Sequence, residues 1–522
     1  MKHWSLKRCS VLMIMILLDM GASGRAQERK TEETKPAAKR SDDFVAAALH
    51  ELQQEVRELH EAMTAMQEET ARSRAETAEL RQELEAARQA RHPGEVQGAA
   101  VVAVESNPSA GPLEDRVGVL EESSQLLNGK VDEQYQTKVE SASKYRVRLS
   151  GIVLLNVFSN RGATDNQDLP TWADPIGPLD SKRNFGASLR QSELGLEVFG
   201  PTVAGARTKG NLQVDFSGGA PATFNGANFG LFRLRVATMR MDWGHTSIVA
   251  GQDEAFFSPR SPTTFASLAI PGFAAAGNLW GWIPQVRVEH RFDLSERQNL
   301  TLQAGILDNV TGDIPRFQFE RYPQAGEKSG QPAYAARIAW TRNSSNRPLT
   351  LGAATYYQRE DWAFNRHVDG WASMIDWDVP LSSRLSLTGE FYRGKAIGGL
   401  GGAVDRSILF NGAFNDPTTR VLGLNTIGGW SQLKIRATSR LEFNGGMGVD
   451  NSFGRDLRAF GEASQSFVDA ELGQNREVLA NFIYRPRSNL LFSSEFRHFR
   501  TASTVSNRNT ADQVNLMMGI LF

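Results

Sequence analysis

From residue 145 to the C-terminus, apolar and polar side chains alternate. In the first run Tyr145, Val147, Leu149, Gly151, Val153, Leu155 and Val157 share one face, while Arg146, Arg148, Ser150 and Asn156 take the other. A period of two sustained over about ten residues predicts a strand long enough to cross a bilayer at a tilt. About 16 such runs succeed one another, beginning near residues 145, 186, 206, 229, 244, 284, 299, 333, 348, 368, 383, 423, 440, 475, 489 and 512. Their connections alternate in length. Short ones near 200–205, 242–245, 293–298, 343–347, 379–382, 436–440 and 486–488 separate long ones near 159–185, 217–229, 254–283, 308–332, 359–367, 394–420, 450–474 and 501–511. Tight turns at one end and long loops at the other mark an outer-membrane barrel. The expected fold is therefore an all-β transmembrane antiparallel barrel of about 16 strands over residues 145–522.

Ahead of the barrel the period changes. Val45, Leu49, Leu52, Val56, Leu59, Met63 and Met66 are spaced by fours and threes, and the register runs on through Thr70, Ser73 and Thr77 to Leu80, Leu84 and Ala87. A heptad seam this narrow predicts a self-associating α-helical coiled coil over 44–92, with a solvated single helix as the competing reading. Residues 93–112, bounded by Pro93-Gly94 and Asn107-Pro108-Ser109-Ala110-Gly111-Pro112, read as a linker. Leu113, Val117, Leu120, Leu127 and Val131 resume the spacing and predict a short helical stalk over 113–144. A stalk beneath each barrel suits a homotrimer, because cyclic symmetry brings equivalent N-termini to one axis. The charged stretch 27–43 reads as disordered. Residues 1–26 have the layout of a signal peptide: Lys2, Lys7 and Arg8, then the apolar run Val11 to Leu18, then small residues to Ala26. That run is far short of the roughly 20 residues a transmembrane helix needs.

Strand ends facing the short turns carry Phe199, Trp243, Phe292, Trp340, Trp377, Tyr484 and Phe522, as expected of an aromatic girdle at a membrane interface. The last strand alternates Val514, Leu516, Met518, Ile520 and Phe522 against Gln513, Asn515, Met517, Gly519 and Leu521, and ends on an aromatic. Phe522 resembles the terminal signal read by the barrel assembly machinery. With the heptads and leader, the segments Gln191-Ser192-Glu193-Leu194-Gly195-Leu196, Phe232-Arg233-Leu234-Arg235, Ala250-Gly251-Gln252 and Pro284-Gln285-Val286-Arg287 resemble the DcaP-like trimeric porins. Phosphate-selective porins share the same broad layout. The resemblance implies a trimeric outer-membrane channel. Where those porins read Arg-Gln-Ser-Arg-Leu-Gly, this chain reads Arg190-Gln191-Ser192-Glu193-Leu194-Gly195, so an acid stands in place of an arginine that bears on their anionic substrates.

Composition narrows the reading by exclusion. A mean hydropathy of −0.37 argues against a helical membrane protein but not against a barrel, whose every second strand residue faces a polar lumen. The single cysteine, Cys9, lies in the leader, so the mature chain has no thiol chemistry. The face opposite the apolar one carries Lys209, Arg233, Arg235, Arg287, Arg291, Arg337, Lys434, Arg436 and Arg497 against Glu193, Glu197, Asp215, Glu289, Glu390 and Glu495. Two roles compete for these charges: drawing anions through a hydrated pore, or bracing the wall by pairing across strands.

The connection 254–283 is unusually apolar, with Phe256, Phe257, Phe265, Leu268, Ile270, Phe273, Leu279, Trp280 and Trp282. Such a loop must pack, either inside the pore as a constriction or against a neighbouring subunit. His245, His290, His367 and His498 stand in no catalytic motif, so no enzyme is expected, and no cofactor, metal or nucleic-acid site. The run Asp165-Asn166-Gln167-Asp168 offers oxygens to calcium but reads first as a polar loop. The expectation is a passive pore for small hydrophilic solutes, in contact with outer-membrane lipids and lipopolysaccharide. Its competitor is a structural barrel whose coiled coil tethers it to peptidoglycan or a periplasmic partner.

Overall fold

The computed structural model describes residues 146–219, 230–313, 321–343, 347–461, 464, 472–503 and 508–522. The expected leader, coiled coil, linker and stalk over 1–144 lie outside the described residues, as does Tyr145. The strands are β1 Arg146–Arg161, β2 in two segments, Arg183–Ser188 and Glu193–Val203, β3 Ala206–Asp215, β4 Arg233–Trp243, β5 Thr246–Glu254, β6 Trp282–Ser295, β7 Gln298–Leu307 and β8 Ala333–Arg342. They continue as β9 Leu349–Asp361, β10 His367–Pro380, β11 Leu385–Lys395, β12 Asn425–Arg436, β13 Leu441–Ser452, β14 Leu472–Arg487, β15 Leu490–Ser503 and β16 Arg508–Leu521.

Each strand pairs antiparallel with the next, and β1 closes the ring by pairing with both β16 and β2, from Ile152 opposite Leu521 to Arg161 opposite Asp512, and from Arg146 opposite Phe199 to Ile152 opposite Glu193. Counting the two segments of β2 once, 16 strands form a closed antiparallel barrel. Closure leaves no strand edge unpaired, the condition for a sheet in an apolar medium. Among the described residues no helix is long and apolar enough to cross a membrane.

Alternation sorts the side chains. On β16, Val514, Leu516, Met518 and Ile520 are exposed outward, while Gln513 and Asn515 are fully buried inward. The same division runs round the ring, with Val153, Met239, Val286, Ile338, Ile375 and Met447 outside. Where the turns are short, Ala204 and Gly205 adopt positive φ (49° and 76°), which matches the twist of the two strands they join. Trp243, Phe292, Trp340, Trp377 and Tyr484 lie on the outward face at these ends. Phe522 exchanges backbone hydrogen bonds with Gly151 at the β16–β1 seam and is exposed outward. Phe199 departs from the expected girdle. It sits in register with Lys209 and Arg146, on the inward face, with the Arg146 guanidinium 4.3 Å from its ring centroid. A bulge between Phe199 and Thr202 ends the alternation there.

Candidate functional site

The inside of the barrel is organised by one loop. Residues 255–281 leave β5, cross the bore and return to β6. Phe256 and Phe257 enter first and join Tyr356, Met374 and Tyr392 from β9 to β11, the Phe257 and Tyr356 rings lying 4.9 Å apart. The Ser258 hydroxyl and the Arg260 amide donate to Glu390 on β11 (2.6 and 2.7 Å), and the Arg260 guanidinium reaches Asp376 (3.2 Å) and Asp378 (3.5 Å) on β10. Gln432 on β12 exchanges hydrogen bonds with the Thr263 backbone (2.8 and 3.0 Å). The Phe273 amide donates to Glu477 on β14 (3.2 Å), and Arg497 on β15 donates to Ser267 (2.7 Å).

Two local features of the sequence hold the loop. Gln191 and Ser192 interrupt β2: the Leu154 amide donates to Ser192 Oγ (3.0 Å), while Gln191 donates to Ala266 O (3.0 Å) and accepts from Leu268 N (2.7 Å). On β13, the inward positions Gly446 and Gly448 leave room for Phe273, which packs on Trp430 at 5.9 Å; a Cβ at Gly448 would stand 2.3 Å from Ala276 O. The apolar loop is thus buried within its own barrel. Phe256, Phe257 and Phe273 are buried, Phe265 packs with Ile483 and Leu491, and Trp280 and Trp282 meet edge to face at 5.3 Å. Arg233 and Arg235 both stack on Trp282 at 4.8 Å.

Two further loops close on the same end. Trp280 N donates to Leu400 O in the 396–424 loop (3.0 Å), and Asn475 donates to Thr171 O in the 162–182 loop (2.8 Å). The acidic run in the latter is spoken for within the protein: Asp165 accepts from the Thr171 amide and hydroxyl and from Trp172 N, and Asp168 pairs with Arg190. Burial first, then the neighbouring carboxylates Asp165 and Asp450, push the Asp405 carboxyl up to about 7.

The fifteen charged residues expected on the inner wall all stand on the inward face, and the loop divides them. Arg497 pairs with Glu477 (2.6 Å), Arg337 with Asp376 (2.8 Å) and Arg287 with Asp253 (2.7 Å), their side chains only 2%, 8% and 10% exposed. Glu495 accepts from Asn481 (2.8 Å), Arg233 pairs with Asp215 (2.5 Å), and Arg235 with Glu193. At the short-turn end, beyond the loop, several of the paired side chains are far more exposed. Lys434 and Arg436 share Glu442 at 3.7 Å each, Arg291 meets Asp293 at 3.0 Å and Lys209 meets Glu197 at 2.5 Å. Arg436 and Arg291 are 52% and 49% exposed there, and Arg148 57%; Glu289 takes hydrogen bonds from Arg287 and Gln303 (2.8 and 3.0 Å).

Sequence reasoning missed the polar residues that seat the loop: Gln191, Ser258, Arg260, Asp376, Gln432 and Glu477. For Asp376, Gln432 and Glu477 the signal was available as inward positions in strand register, but nothing told which inward positions meet a loop; Ser258 and Arg260 lie in the loop and Gln191 in the break of β2, where no register marks them. Of the described histidines, His245 lies 3.5 Å from Asp293 at the short-turn end. His290 bonds Thr246 (2.7 Å) and His498 bonds Asp512 (2.7 Å), both on the outward face.

A closed 16-stranded antiparallel barrel with an apolar outside, a charged inside and a loop folded across the bore has the fold of an outer-membrane porin. Among solved structures it is similar to the outer-membrane channel DcaP of Acinetobacter baumannii, at 17% identity over 73% of this chain and 99% of that one, with a TM-score of 0.53. It also matches an anion-selective porin from Comamonas acidovorans (10% identity, 73% and 100% covered, TM-score 0.46) and OprB of Pseudomonas putida (9%, 72% and 94%, 0.43). No protein-family model matches the sequence, and no curated protein does.

Proposed function

We propose that this protein is an outer-membrane porin through which small hydrophilic solutes diffuse passively, with a preference for anions set at the short-turn mouth. The observation that carries the reading is the combination of a closed barrel, an apolar exterior and a bore narrowed by the 255–281 loop. The anion preference draws support from the charges left exposed beyond the loop. Arg146, Arg148, Arg207, Lys209, Arg240, Arg291, Lys434, Arg436 and Arg485 stand on the inward face there, against Glu197, Asp242, Glu289, Asp293, Asp378 and Glu442. A guanidinium surplus facing a hydrated passage lowers the energy of an anion within it.

The long loops face the exterior and the short turns the periplasm, in keeping with a leader and coiled coil on the periplasmic side. The heptads over 44–92 and 113–144 join three copies of the chain, and Phe522 is the mark by which the barrel assembly machinery inserts it. Planar-bilayer recording of the refolded full-length protein tests the reading: ohmic steps in groups of three, with reversal potentials favouring chloride over potassium across a salt gradient. Verified insertion without current rules out the pore, and a cation-favouring reversal potential rules out the anion preference.

A further inference from the structure

The barrel carries a second concentration of arginines, on its outward surface at the long-loop end. Across β14, β15, β16, β1 and β2 the register sets Arg476 opposite Arg500 and Arg161 opposite Arg183, while Arg508 stands opposite Ala502. All five arginines are exposed. Like charges directly across a sheet repel, and two such pairs lie within four neighbouring strand spacings. The nearby acid is committed: Asp512, opposite both Arg161 and His498, holds the His498 ring at 2.7 Å. Among the described residues no carboxylate forms an ion pair with any of the five.

The same height on the far side of the barrel is built differently. On the outward face of β9 and β10, Arg359 stands opposite Asp369 and Asp361 opposite His367, so no two cations face each other there. Below the arginines lie Val478, Phe496, Val514 and Leu516, all outward and exposed. The patch is therefore a basic shelf at the upper edge of an apolar wall. Strands spaced at about 4.8 Å bring the guanidinium groups of β15, β16 and β1 within reach of one headgroup.

We propose that this shelf binds a phosphate-bearing lipid headgroup of the leaflet that meets the long-loop end. Acyl chains would lie along Val478, Phe496, Val514 and Leu516, and the phosphates would take the bidentate hydrogen bonds that guanidinium groups offer. A phosphate between Arg476 and Arg500, or between Arg161 and Arg183, turns each repulsive pair into a clamp. The proposal rests on the outer-membrane reading above for its orientation, yet its test does not involve conductance.

The test is native mass spectrometry of the full-length protein in mild non-ionic detergent, with bis-phosphorylated lipid A as the probe. Retained lipid is expected on the unaltered chain. Arg161→Gln, Arg183→Gln, Arg476→Gln and Arg500→Gln combined should weaken retention by about tenfold or more, and the Arg→Lys set should fall between. Because the Gln set removes repulsion, its barrel should stay folded, as read by its heat-modifiable gel mobility. Arg384→Gln with Arg440→Gln, exposed at the short-turn end, should leave retention unchanged. Equal retention of fully dephosphorylated lipid A, full competition by inorganic phosphate, or undiminished retention by the Gln set overturns the proposal. So does a Gln set that loses only its oligomeric state, since the shelf would then meet a second copy of the chain.

Discussion

Arg497 on β15 and Arg436 on β12 both point from a strand into the barrel, and they have become different residues. Arg497 is 2% exposed, bonded to Glu477 at 2.6 Å and to Ser267 of the inward loop at 2.7 Å. Arg436 is 52% exposed and shares Glu442 with Lys434 at 3.7 Å. The difference comes from the 255–281 loop, which covers the inner wall from β10 to β15 above Arg436 and stops short of the mouth. A lumen charge under the loop braces the wall; one beyond it faces water, where on the porin reading it acts on solutes. The largest test of this contrast removes its cause. Replacing residues 259–277 by a short Gly/Ser bridge should raise single-channel conductance several-fold, and unchanged conductance would place the narrowest point elsewhere.

The next test removes one residue from each region. Arg497→Ala strands Glu477 and Glu495 as buried carboxylates, and losing one partner of a buried pair costs about 3–5 kcal/mol. Arg436→Ala breaks only a loose, solvated contact, with an expected cost under about 1 kcal/mol. Urea unfolding in detergent, followed by tryptophan fluorescence, reads both. Equal losses would break the distinction between the covered and open walls.

Strand number, alternation of turns and loops, and the inward parity of all fifteen charges were legible from the chain, the parity from a period of two and the rest from where each alternating run starts and stops. The side that Phe199 takes was not legible from residue type: an aromatic at a short turn suggested the outer girdle, but Phe199 shares the parity of Glu193 and Glu197 and stands inward in unbroken register with Lys209 and Arg146, ahead of the bulge. The job of each inward charge was not legible either, because parity is a property of one strand while coverage depends on a loop more than a hundred residues distant in sequence. Ser258 meets Glu390 and Ser267 meets Arg497. The loop's apolar content predicted that it must pack, but its inward course depends on Gln191, Gly446 and Gly448, ordinary residues until the barrel brings them together.

A selectivity measurement sharpens the contrast without disturbing the fold. Lys434→Gln with Arg436→Gln removes two cations from the open mouth and should move the reversal potential in a tenfold KCl gradient toward potassium, by several millivolts at low salt and less at high salt, where screening shortens their reach. Arg337→Gln, under the loop, should leave the reversal potential where it was, whatever it does to stability. A shift from Arg337→Gln alone would mean that the covered charges still set the field in the bore.

The smallest effect lies in the loops at the other end. Asp405, in the 396–424 loop, has its carboxyl raised from 3.8 to about 7 by burial and by Asp165 and Asp450. A carboxyl raised on folding is neutral in both folded and unfolded loop near pH 3 and costs nothing there. Between about pH 4 and 7 the unfolded form ionises while the folded form holds its proton, so the packing of this loop weakens as pH rises and levels off above 7. Asp405→Asn cannot ionise and should flatten that slope, leaving the loop unchanged near pH 4 and better protected at pH 8. Amide hydrogen exchange across 396–424, corrected for the intrinsic pH dependence, reads this directly against the strands, whose protection should not move. A slope that survives the substitution would assign the pH response to Asp165 in the 162–182 loop, whose carboxyl burial raises to about 6.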